Sequence, residues 1–167
     1  MTRTRRVLER PSLSAHQVAK PFPWILMIGL KQAHVHEIIS HAREESPREC
    51  CGLIGGKADG SAQTIYRMRN VAGDPLVTYE AAPEDLFAAQ RVMRERGEQL
   101  LGIYHSHPRA KNPEPSRTDI RLAYYPSAVY FIVGLDDTEP CLRAFHISER
   151  EGRWEQVEFK IIADPNP

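Results

Sequence analysis

The stretch from His105 to Asp119, reading H-S-H-P-R-A-K-N-P-E-P-S-R-T-D, constrains the chain more than any other. Its start continues the apolar run from Leu100 and reads as the end of a strand, where side chains alternate between faces, so His105 and His107 point the same way. Its middle is broken by Pro108, Pro113 and Pro115 and reads as a loop. Its end, Ser116-x-x-Asp119, is a capping-box-like start for a short helix over Ser116 to Tyr124. A fold containing this segment must bring a strand end and a helix N-terminus together. Two histidines and one carboxylate would then share one place, a three-ligand set of the kind that leaves a fourth position on a zinc ion for water.

Composition narrows what surrounds that place. At 167 residues the chain has the size of one domain, large enough to bury a core without disulfides. Lysine plus arginine and aspartate plus glutamate both number 22. This balance excludes the clustered basic excess that phosphate neutralisation demands, so no nucleic-acid partner is expected. The longest apolar stretch, Trp24 to Leu30, is far short of the roughly 20 residues of a membrane span. Of the three cysteines, Cys50 and Cys51 are adjacent and Cys141 is distant, with no C-x-x-C. Neither a disulfide framework nor a thiolate metal site is indicated, and a reducing cytoplasm fits best.

Residues 1–24 carry five basic residues against Glu9, three prolines and no apolar period, and read as a disordered tail. An organelle transit peptide, or a true start at Met27, fits the same composition. Beyond it, Ile25 to Leu30 reads as a short strand and Lys31 to Glu45 as a helix, with Val35, Ile38, Ile39 and Ala42 on one face. Ser46-Pro47 stops that helix. Glu49 to Gly56 and Thr64 to Arg69 read as a hairpin turning near Asp59-Gly60, and Pro83 to Gly97 as a second helix. Leu100 to Ser106, Ala128 to Leu135, Cys141 to Ile147 and Trp154 to Ile161 read as further strands, the last two paired as a meander. Strands and helices mix without regular βαβ alternation, which favours an α+β domain.

A metal-assisted hydrolase also needs a base, and Glu49 is a candidate because a carboxylate opening an apolar strand is otherwise costly. Spacing alone does not choose it over Glu44, Glu45 or Glu114. With Glu49 and Cys51-Gly52, then His105-Ser106-His107-Pro108, seven residues, and Ser116-Arg117-Thr118-Asp119, the chain resembles the JAMM (MPN-plus) metallopeptidase family at every position of its pattern. The resemblance covers about residues 25–162, expected as the metallopeptidase domain, with tails at 1–24 and 163–167. It implies a mixed central β-sheet flanked by helices, layered as in cytidine deaminases. It also implies one zinc ion per chain on His105, His107 and Asp119, with Glu49 holding and deprotonating the water and Ser116 donating to the oxyanion.

Family members cleave isopeptide or peptide bonds after the terminal Gly-Gly of ubiquitin or ubiquitin-like proteins. Few residues separate Asp119 from the strand at Ala128, too few for the second insertion of the eukaryotic members. The chain therefore looks most like short stand-alone bacterial members, which act on ubiquitin-like sulfur-carrier proteins. The rival reading is a silent scaffold of the same fold that only binds partners. A zinc deaminase would need H-x-E with P-C-x-x-C, and neither occurs. His34, His36 and His41 read as surface positions on the first helix, and Cys51 as a core residue rather than a nucleophile. Loops over Asn70 to Val77 and Arg109 to Glu114 are expected to border the groove.

Overall fold

The structure is a computed structural model that describes residues 27–136 and 138–163. The expected tails at 1–24 and 163–167 lie outside it, apart from Ala163. The elements run β1 (Gly29–Lys31), α1 (Gln32–Glu45), β2 (Cys51–Gly56), β3 (Ala62–Met68), α2 (Pro83–Arg96), β4 (Gln99–His107), α3 (Arg117–Arg121), β5 (Val129–Gly134), β6 (Cys141–Ser148), β7 (Arg153–Val157) and β8 (Lys160–Ile162). Six strands form one sheet in the order β3-β2-β4-β5-β6-β7, antiparallel except for the parallel pair β4 and β5. The mixed α+β architecture is the one expected.

The centre of the sheet is buried on both faces, and the sequence shows it: β2 (CGLIGG) and β5 (VYFIVG) are continuous apolar runs rather than alternating ones. On one face α1 packs Val35, Ile38 and Ala42 against Ile54, Phe131 and Val133. On the other, Ala89 and Met93 of α2 and Ala123 after α3 meet Leu53, Ile103 and Ile132. α2 begins at Pro83 with Glu84 and Asp85 in its first turn and ends on Gly97 at φ 62°, the left-handed cap that glycine adopts without a Cβ clash. Arg67 of β3 docks α1 onto the sheet through Glu37 and Glu44.

The element boundaries differ from expectation in three informative places. Strand β2 starts at Cys51, so Glu49 precedes the ladder instead of opening it. Helix α3 ends at Arg121 rather than Tyr124. The last expected strand splits at Glu158 and Phe159: Arg153–Val157 continues the large sheet, while Lys160–Ile162 crosses to pair in parallel with β1. The hairpin turn falls where expected, with Gly60 at φ 88°.

Two histidines of α1 are also not where expected. His34 and His41 are buried, whereas His36 is exposed. Positions 34 and 41 lie seven residues apart and share the inward face, a relation that a comparison of neighbours at i and i+2 overlooks. His41 Nδ1 lies 2.8 Å from the hydroxyl of Tyr104, which is fully buried on β4. Gly52 makes that possible, since a Cβ there would come within 2.3 Å of the Tyr104 ring.

Candidate metal centre

Strand β4 ends in His105 and His107, the first fully buried and the second partly so. Gly134 at the end of β5 lets the proline loop lie against the sheet, because a Cβ there would sit 2.3 Å from Ala110 O and 2.9 Å from Pro113. Asp136 N donates to Ala110 O, and Arg143 of β6 donates to Pro113 O at 3.1 Å. The loop therefore returns the start of α3 to the end of β4. There Ser116 and Asp119 cap the helix reciprocally: Asp119 N donates to Ser116 Oγ at 3.1 Å, and Ser116 N donates to Asp119 Oδ2 at 2.7 Å. The cap uses the hydroxyl oxygen itself as acceptor, leaving the hydroxyl proton of the exposed Ser116 free to donate.

This capping box aims Asp119 at the histidines. Asp119 Oδ1 is 3.2 Å from His105 Nε2, Asp119 Oδ2 is 3.2 Å from His107 Nε2, and the two Nε2 atoms are 3.1 Å apart. An ion with tetrahedral bonds of roughly 2.0–2.1 Å separates its ligand atoms by about 3.3 Å, so each Nε2 lies at about that spacing from the other and from one of the two Asp119 oxygens. Glu49 stands back from them. Its carboxylate lies within 4.8 Å of both histidines, which makes Glu49, His105 and His107 a second grouping able to hold a metal. Its 4.0 Å separation from His107 Nε2 is long for a shared ion, however, and the closer Asp119 fits better.

The electrostatics agree with this division. Burial alone would raise the Asp119 carboxyl, but His105, His107 and Ser116 hold it well below the usual carboxylate range. Burial lowers His105 and so favours the neutral ring that a metal ligand requires, although Asp119 opposes it. For His107 burial acts downward, but the Asp119 hydrogen bond and charge, helped by Glu49, raise it. Burial pushes the Glu49 carboxyl up to about 7, with Asp119 adding to the rise and His107 opposing it. Glu49 Oε2 is buried and makes no hydrogen bond among the described residues.

All five residues expected at the site are therefore brought to one end of the sheet. The structure adds three that the sequence did not reveal. Ser106, the residue between the histidines, points to the opposite face, where its Oγ accepts from Cys50 N at 2.9 Å and ties β4 to the residue after Glu49. Tyr79 stacks on His105 with ring centroids 4.6 Å apart and planes inclined by 27°. Asn70 donates to Glu49 O at 2.9 Å. No spacing rule links these residues to the motif, because all three act through tertiary contacts.

A family model described as prokaryotic homologs of the JAB domain matches residues 31–148, and the chain belongs to this family. Its site is that of a JAMM-type hydrolase. It is 38% identical over 104 residues to a desampylase of Haloferax volcanii, covering 59% of this chain and 74% of that protein. A probable TtuB-protein conjugate cleaving protease of Thermus thermophilus is 34% identical over 125 residues, covering 74% and 78% respectively. A CysO-cysteine peptidase of Mycobacterium bovis is 33% identical over 114 residues, covering 68% and 77%. Among solved structures, a JAB1/MPN domain protein of Archaeoglobus fulgidus superposes with a TM-score of 0.51 at 20% identity, over 81% of this chain and 98% of that one, a likeness of fold. Among the described residues no helix is long and apolar enough to cross a membrane.

Proposed function

We propose that residues 25–162 form a zinc-dependent peptidase and isopeptidase that hydrolyses the bond after the C-terminal Gly-Gly of a small ubiquitin-like sulfur-carrier protein. The observation that carries this reading is the convergence of His105 Nε2 and His107 Nε2, 3.1 Å apart, with Asp119 Oδ1 3.2 Å from the first and Oδ2 3.2 Å from the second, and the Glu49 carboxylate set 4.0 Å from His107 Nε2. His105, His107 and Asp119 would hold one zinc ion per chain, which would supply a water of pKa lowered towards about 7 and a Lewis acid for the scissile carbonyl. Glu49 accepts the water proton on its carboxylate and passes it to the departing amine, so that an amine and a free carboxyl terminus leave. The Ser116 hydroxyl, whose oxygen is occupied by Asp119 N, donates its proton to the developing oxyanion.

The substrate class is supported by the relatives, which are named for a TtuB conjugate and for CysO-cysteine. A diglycine tail suits a narrow approach to a buried ion, because it carries no side chain to exclude. Three free thiols, two of them buried, fit a reducing cytoplasm. Replacing Glu49 by Gln tests the assignment: the variant is expected to keep one zinc per chain and lose at least about 100-fold in kcat on a Gly-Gly-extended carrier. Turnover at the wild-type rate would remove Glu49 from the chemistry.

A further inference from the structure

Glu49 lies outside the β-ladder, so strand pairing does not hold it. Both of its backbone polar groups are instead taken by the loop of residues 70–82: Glu49 N donates to Pro75 O at 2.7 Å, and Asn70 Nδ2 donates to Glu49 O at 2.9 Å. The same Nδ2 donates to Thr78 O at 3.0 Å, while Asn70 Oδ1 accepts from Ala72 N and from Glu80 N, both at 3.0 Å. Two carbonyls face the amide nitrogen and two N–H groups face the amide oxygen. Asn70 thus uses all four bonds that a carboxamide can make, and no flipped orientation would satisfy them.

Between Thr78 and Glu80, both fastened to this amide, sits Tyr79 with its ring on His105. A metal-binding histidine is ordinarily oriented by a hydrogen bond from its second ring nitrogen. His105 Nδ1 is buried and makes none among the described residues. On that side of the imidazole the support comes instead from the Tyr79 ring, stacked on its face. One carboxamide locks the backbone of the proton-transfer residue and the support of a metal ligand into a single body.

We propose that Asn70 is a positioning residue for the hydrolysis, acting through Glu49 and Tyr79 without touching substrate. The proposal rests on the reading of Glu49 as the base. Asn70→Asp is the sharp probe, because it keeps the size and still accepts from Ala72 N and Glu80 N, while an acceptor oxygen with a negative charge replaces the donor that faces Glu49 O and Thr78 O. Asn70→Ala removes all four bonds. Asp59→Ala removes a comparable turn bond at the far end of the β2–β3 hairpin, where Asp59 Oδ1 accepts from Ser61 N at 2.9 Å, and leaves every bond to Glu49 in place.

The experiment measures kcat and KM on a Gly-Gly-extended sulfur carrier, zinc content, and hydrogen exchange of the Glu49 amide in the full chain. Asn70→Asp is expected to lose about 10- to 100-fold in kcat with KM within about threefold and zinc retained. Its Glu49 amide should exchange at least about tenfold faster, and Asn70→Ala should exceed both effects. Asp59→Ala should stay within about threefold of wild type throughout. A kcat for Asn70→Asp within threefold of wild type, an equal loss in Asp59→Ala, or an unchanged Glu49 exchange rate would overturn the assignment. Should the wild-type chain cleave no carrier, the functional reading fails, and the exchange measurement alone decides whether Asn70 fixes Glu49.

Discussion

Asp119 faces the two histidines only because a helix cap aims it. The bond from Ser116 N to Oδ2 leaves each carboxylate oxygen 3.2 Å from one histidine. Asp119→Ala therefore removes both a donor atom and half of a capping box. Zinc measured by atomic absorption after dialysis should fall from about one per chain to a small fraction, since a missing ligand costs more than the roughly 10- to 100-fold of a missing supporting bond. Unchanged stoichiometry would exclude Asp119 from the ligand set. Glu49 supplies a second prediction, for the metal-free chain. Its carboxyl is near 7 when folded against an ordinary value of 4.5, so the folded state prefers the protonated form. The stability that this contributes is fully present below pH 4.5 and is lost as pH rises through 7. By pH 8 the buried charge costs on the order of 3 kcal/mol. Metal-free Glu49→Gln should therefore be more stable to urea than metal-free wild type at pH 8, with the difference vanishing near pH 4. At this scale His105, His107, Ser116 and Asp119 were legible because H-x-H in a strand and S-x-x-D at a helix start each have a fixed local geometry, whereas only the family resemblance singled out Glu49. Asn70, Tyr79 and Ser106 were not, since an asparagine in a loop, a tyrosine and a strand serine gain their roles only from partners distant in sequence.

The elements bear on the site through two close approaches. Gly52 of β2 gives room to Tyr104, the neighbour of His105, and Gly134 of β5 gives room to the proline loop that carries Asp119. A methyl group at either position would force its neighbour to move, the Tyr104 ring in one case and the Ala110 carbonyl in the other. Gly52→Ala should lower stability by about 1–3 kcal/mol in chemical denaturation, the usual cost of overpacking. Gly134→Ala meets backbone at Ala110 O rather than a movable side chain tip, and should in addition reduce zinc affinity measured by competition with a chelator. Wild-type affinity in Gly134→Ala would show that the loop does not set the position of Asp119. The order and type of the elements were readable from periodicity and from Pro and Gly punctuation, as α2 between Pro83 and Gly97 illustrates. The splitting of the final strand was not. Trp154 to Ile161 is one apolar-rich run, and only the position of β1, reached across the whole chain, tells Lys160–Ile162 to leave the sheet.

For the whole molecule, the parallel pairing of β4 with β5 sets the geometry. It forces a crossover through the proline loop and α3, and the crossover delivers Asp119 to the end of the strand that bears both histidines. Metal should therefore stabilise the entire domain, since its ligands come from two elements that no direct hydrogen-bond ladder joins. At a free zinc concentration 100-fold above Kd the stabilisation is about 2.7 kcal/mol, and chelation should lower Tm by roughly 5–10 °C. An unchanged Tm, with zinc verified before and absent after, would mean that the ion does not hold the crossover. The central claim is that this end of the sheet hydrolyses the bond after Gly-Gly with the help of a metal. The most direct test is the intact mass of small ubiquitin-like sulfur carriers, each extended by a few residues beyond Gly-Gly, after incubation with the purified chain with and without a zinc chelator. The account predicts loss of the extension only without chelator, with the carrier ending at Gly-Gly and activity restored by added zinc. Full-length carrier under every condition despite bound zinc, or cleavage that the chelator leaves untouched, would contradict it.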